Sequence, residues 1–128
     1  MDKPFSLVIE DDKYLSVALS EALTDAGYEV EIVYDGKTAL ERIAVTTPAT
    51  IVLDLHIPYV RGEEVLKAIR ADPRLAKTRI IITTADDLAA ARLETQATLI
   101  LLKPVGYQQL RDLSARLKPK TGTLKPPA

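Results

Sequence analysis

LVIEDDKYLSVALSEALTDAGYEVEIVY, residues 7–34, changes its hydrophobic period twice. Leu7 to Ile9 closes an apolar run, Phe5 to Ile9, of strand length. After three acids, Leu15, Ala18, Leu19, Ala22 and Leu23 recur at helical spacing. Gly27 then stands where a helix would stop, because a residue free to take a left-handed backbone lets the chain turn away. Val30 to Tyr34 reads as a second strand. A helix between two strands favours a crossover that returns the second strand parallel to the first.

The rest of the chain repeats the pattern. Apolar runs at Ile51 to Leu53, Ile80 to Thr83 and Thr98 to Leu102 alternate with helical stretches over residues 34–46, 61–73, 86–97 and 107–118. Asp72-Pro73 ends the third of the five helices, since the residue before proline is driven out of helical geometry. The Ala-rich fourth helix is the weakest. Strict alternation of five strands with five helices implies a parallel sheet covered on both faces. The nearly continuous apolar strands agree with burial on both sides. YEVEIVY, which alternates Glu with apolar residues, belongs at an edge.

Composition excludes several classes. At 128 residues the chain suits one domain, expected over residues 1–118, with a Pro-rich flexible tail over 119–128. The balance of 17 Lys+Arg against 18 Asp+Glu gives a net charge of -1, which speaks against direct nucleic-acid binding. Cysteine is absent, so neither disulfides nor a thiolate metal site is available. No apolar run approaches the length of a membrane span, and the N-terminus lacks a signal-peptide pattern. A cytoplasmic protein without membrane contact is expected.

The unusual polar residues all stand at carboxyl ends of strands. Glu10 and Asp11 follow the first strand, Asp54 the third, Thr84 the fourth and Lys103 the fifth. In an open parallel sheet, ligands bind outside those ends, where strand order reverses. Crowded like charges repel by about 1 kcal/mol per close pair even in water. A hard cation such as Mg²⁺ would relieve that repulsion. Asp54 is then a candidate nucleophile toward phosphorus, and Lys103 and Thr84 supply the charge and the hydroxyl donor that phosphoryl transfer requires.

VIEDD, IVLDLHIP, Gly62, IIITTA and LLKPV together resemble the receiver domain of bacterial two-component response regulators, close to the single-domain chemotaxis type. The resemblance runs from Phe5 to about Lys118. It implies a flavodoxin-like (βα)5 three-layer sandwich, with a five-stranded parallel sheet in the order 2-1-3-4-5 and helices on both faces. By the same resemblance Glu10, Asp11, Asp54 and the backbone carbonyl of His56 hold Mg²⁺. Asp54 receives the phosphoryl group, Thr84 and Lys103 bind its oxygens, and the Lys103-Pro104 peptide is cis. Partners are a sensor histidine kinase or phosphotransfer protein and a downstream protein target, with a monomer or a phosphorylation-dependent dimer. With no DNA-binding domain expected after Lys118, output is expected through protein contacts or onward phosphotransfer. The switch would phosphorylate and dephosphorylate itself rather than turn over a metabolite.

Other readings stand beside this one. An acid after a strand is often a helix N-cap, and Asp12 is assigned that role. The His56 side chain is expected to be solvated at the rim of the site. Thr83 and Thr84 must face opposite ways, and the family pattern selects Thr84. Ile100 replaces the usual aromatic residue and is expected to stay buried in one rotamer, while the short Thr84 to Lys103 interval implies a trimmed fourth helix. These departures favour, as an alternative function, a docking module that no longer cycles. A phosphatase of the haloacid-dehalogenase type fits less well, because His56 stands where that family has an acid.

Overall fold

Continuous apolar strands must be buried on both faces, and a computed structural model, describing residues 3–119, shows how this is done. The elements in order are β1 (Phe5–Ile9), α1 (Lys13–Asp25), β2 (Glu29–Val33), α2 (Gly36–Val45), β3 (Thr50–Asp54), α3 (Gly62–Ala71), β4 (Arg79–Thr84), α4 (Asp87–Leu93), β5 (Leu99–Leu102) and α5 (Tyr107–Arg116). A single 3-10 turn, Pro73–Leu75, lies between α3 and β4. The sheet order is β2-β1-β3-β4-β5 with every pairing parallel, the flavodoxin-like arrangement, and β2 lies at an edge as its alternation implies.

Period two divides the strands between two cores. Leu7, Ile9, Ile51, Leu53, Ile80 and Ile82 face Ala39 and Ile43 of α2, Val65, Leu66 and Ile69 of α3, and Ala89 and Leu93 of α4. Val8, Val52, Ile81 and Leu101 face Leu19, Ala22 and Leu23 of α1 and Leu110 of α5. Helix ends follow local chemistry. The Asp12 carboxylate accepts the Leu15 N–H at 3.0 Å and caps α1, as assigned. Gly27, at φ +104°, ends it. α3 ends at Ala71, before Asp72-Pro73.

Two features differ from expectation or lie beyond it. Ile100 is only half-buried: it packs on the α2–α4 core yet lines an open groove with Ala90, Ala91 and Ala97. The seven-residue α4 is too short to cover the edge strand β5 fully, which is why the ring-sized position is not sealed. The flexible tail expected over residues 119–128 lies, from residue 120 on, outside the described residues. Among the described residues no helix is long and apolar enough to cross a membrane.

Candidate functional site

The order reversal between β1 and β3 sets the site, because the helices leaving these two strands go to opposite faces and open a crevice between them. β1 and β3 are in register at Ile9 and Leu53, so the next residues, Glu10 and Asp54, emerge side by side. Both are buried, at 1% and 2% exposure, whereas Asp11 is exposed. Carboxyl oxygens of Glu10, Asp11 and Asp54 lie within 4.8 Å of one another. On the far side, Thr84 pairs with Leu102, and the Lys103 N–H donates to the Thr84 carbonyl at 2.9 Å. This brings the Lys103 ammonium over the strand ends, 3.0 Å from Asp54 Oδ2 and 3.4 Å from Glu10 Oε1. The Lys103-Pro104 peptide is cis.

Local hydrogen bonds hold both buried acids. Asp54 Oδ1 accepts the His56 N–H at 3.0 Å, and Glu10 Oε2 accepts the Asp12 N–H at 3.1 Å. Gly62 packs so close to the Asp54–Leu55 backbone that a Cβ there would lie 2.5 Å from Leu55 Cα, which makes glycine necessary where α3 begins beneath the site. The electrostatics are asymmetric. Burial, reinforced by the neighbouring Asp54 carboxylate, pushes Glu10 up to about 7, against the Asp12 N–H and Lys103, which favour its charge. For Lys103, burial opposes the charge, but the hydrogen bond and attraction to Asp54 and Glu10 prevail and hold its pKa above the usual lysine value.

Thr84 lies at the top of β4, fully buried, and its hydroxyl accepts the Asp86 N–H at 3.0 Å. Its proton stays available for donation. No hydrogen bond joins the Thr84 side chain to Asp54 among the described residues, so the structure gathers Glu10, Asp11, Asp54 and Lys103 directly and sets Thr84 beside them. His56 is exposed, in keeping with a solvated ring. Two features escape a reading of the sequence. Thr83 pairs with Asp54 across the sheet, and its hydroxyl is buried without a partner among the described residues. Glu63 of α3 forms an ion pair at 2.9 Å with Arg92 of α4, and only the packing of two helices distant in sequence could show it.

Acids at the switch point, an aspartate ending a buried central strand and a lysine after the last strand define a receiver-type site. Residues 6–115 match the model of the response regulator receiver domain, and the chain belongs to that family. Among its relatives, the transcriptional regulatory protein CutR of Streptomyces coelicolor is 34% identical over 125 residues, which are 94% of this chain and 56% of CutR. The chain thus spans about half the length of the curated relatives it matches. The chemotaxis response regulator CheY4 of Vibrio cholerae superposes with a TM-score of 0.81 at 28% identity, covering 90% of this chain and 98% of CheY4. The receiver domain of the sensor histidine kinase PA1611 from Pseudomonas aeruginosa, which has a magnesium ion coordinated in its active-site cleft, gives 0.80 at 25% identity over 90% of this chain and 97% of that one.

Proposed function

We propose that this chain is a phosphoacceptor switch in which Asp54 takes a phosphoryl group from a sensor histidine kinase or a phosphotransfer protein, with Mg²⁺, and signals through protein contacts. The observation that carries this reading is the Lys103 ammonium 3.0 Å from Asp54 Oδ2 beside three converging carboxylates. That arrangement joins a nucleophile, a fixed positive charge and a hard-oxygen cation site in one crevice.

The donor set fits Mg²⁺: three carboxylates whose oxygens lie within 4.8 Å of one another, one of them raised in pKa by burial and by the neighbouring Asp54, and no soft ligand. Glu10, Asp11, Asp54 and the His56 carbonyl would hold the ion, whose chemistry there is to neutralise charge on phosphoryl oxygens. The His56 N–H orients the Asp54 carboxylate. Attack by that carboxylate forms one O–P bond and breaks the P–N bond of a phosphohistidine donor, whose imidazole leaves with a proton from solvent. Lys103 and the Thr84 hydroxyl then donate to the phosphoryl oxygens. Water later attacks phosphorus and breaks the O–P bond, which regenerates Asp54 and releases inorganic phosphate. The family's role is that of a signalling switch, and the same reading places the protein in the cytoplasm, as a monomer or as a dimer formed on phosphorylation.

Incubation with Mg²⁺ and acetyl phosphate, followed by intact-protein mass spectrometry, tests this. One phosphoryl adduct is expected on the wild type and none on Asp54→Asn. A folded wild type without an adduct would overturn the proposal in favour of the non-cycling docking module.

A further inference from the structure

The end of the molecule opposite Asp54 carries a cavity of about 650 Å³, formed where β4 and β5 begin and α3 and α5 end. Arg70, Lys77, Arg79, Arg116 and Lys118 line it, five of the chain's 17 basic residues, and no acidic side chain among the described residues does. None of these five takes part in an ion pair among the described residues. For a chain of net charge -1, this is a strong local concentration of one sign.

Helix ends explain part of it. Arg70 and Arg116 lie in the last turns of α3 and α5, where a cation is favoured by the helix dipole. Lys77 and Arg79 flank Thr78 outside any helix and have no such reason to be there. Arg70 is also preorganised: its Nε donates to the Gln96 carbonyl at 2.8 Å and one terminal nitrogen to the Thr78 carbonyl at 3.3 Å. The other terminal nitrogen has no hydrogen bond among the described residues. Thr98 Oγ1 accepts the Ile80 N–H at 2.9 Å, so its proton is free to donate.

We propose that this cavity binds a polyphosphate chain, carried by a nucleoside di- or triphosphate or present as the inorganic chain. Such a group concentrates several negative charges within a few ångströms, as a cavity lined by five cations favours, and guanidinium forks match phosphate oxygens. The volume falls within the range of small-molecule pockets, roughly 300–1,000 Å³. Ala49 and Leu117 supply an apolar wall for the rest of a nucleotide. A duplex nucleic acid is disfavoured, because it requires a broad basic face and an overall positive balance.

The full chain, labelled with nitrogen-15, is titrated in EDTA at physiological salt with inorganic tripolyphosphate, ATP, AMP and sulfate. Saturable amide shifts are expected at Thr78, Arg79, Thr98 and Leu117 with tripolyphosphate and ATP, and weaker ones with AMP. Tighter binding of ATP assigns the nucleotide as the source, and equal binding assigns the bare polyphosphate chain. Lys77→Ala and Arg116→Ala, both at exposed positions, are each expected to weaken binding by about fivefold or more. The proposal fails if these amides do not move or if shifts cluster only around Lys103. It also fails if sulfate binds equally well, which would mean an adventitious ion only, or if a duplex oligonucleotide binds more tightly than ATP.

Discussion

Glu10 shows how one residue can couple pH, stability and metal binding. Its carboxyl is buried beside Asp54 and titrates near 7, against 4.5 when unperturbed. The folded state therefore holds this proton more tightly than the unfolded chain. The stability this contributes is complete below about pH 4.5 and is lost as pH rises through 7, on the order of 3 kcal/mol. The proposed Mg²⁺ binding has the opposite sign, because a ligand must be the carboxylate. Mg²⁺ affinity is expected to rise about tenfold between about pH 6 and pH 8, read from amide shifts; a flat profile would remove Glu10 from the ligand set. Asp11→Asn should weaken Mg²⁺ binding in the same titration, with unchanged affinity arguing against Asp11 as a ligand. Thr83 offers a different test. Its buried hydroxyl has no partner, so Thr83→Val should raise stability by about 1 kcal/mol in urea denaturation while leaving Asp54 labelling intact.

At the scale of elements, the short α4 is joined to the site by a chain of hydrogen bonds. The Thr84 hydroxyl accepts the Asp86 N–H, and the Asp86 carboxylate caps α4 by accepting from Leu88 N–H and Ala89 N–H at 3.0 and 3.1 Å. A Thr84 hydroxyl that turns toward a phosphoryl oxygen must disturb the first bond, and hence the cap. Ile100 lines an open groove, but its β-branched side chain is stiff at χ1 and has few rotamers to swing between. With a beryllofluoride mimic of the phosphoryl group, amide shifts should therefore be largest over residues 84–88 and smaller around Ile100. Large shifts at Ile100 with none at Asp86 would contradict this. Asp86→Ala should cost about 1 kcal/mol and speed amide exchange within α4.

Across the whole molecule, Tyr28 ties the layers together. Its hydroxyl donates to the Ser114 carbonyl of α5 at 2.8 Å and accepts from Thr50 Oγ1 of β3 at 2.9 Å, while Ser6 of β1 donates to the Thr50 carbonyl. Tyr28 is 1% exposed, and burial raises the pKa of its phenol. Tyr28→Phe strands Thr50 Oγ1 in the interior and leaves the Ser114 carbonyl with only the Leu117 N–H at 3.2 Å. The expected loss is about 1–2 kcal/mol in chemical denaturation, with the site at the other end of the sheet unaffected. A loss near zero would show that neither bond contributes to holding α5.

The sequence alone determined the alternation of strands and helices, the edge place of β2, the caps at Asp12 and Gly27, and the set of residues that end strands. These are local properties: apolar period, propensity and turn chemistry are all read within a few residues. Strand order was legible only because the receiver motifs resemble a known family. Tertiary structure decided what depends on neighbours far along the chain. Lys103 meets Glu10 across 93 positions, which, with burial, sets their charges. Ile100 is left half-buried because α4 is short, and five basic residues from α3 to Lys118 come together around one cavity. Period assigns a side chain to a face, but the crossovers and strand register decide which other side chains share it, and electrostatic environment follows from that company.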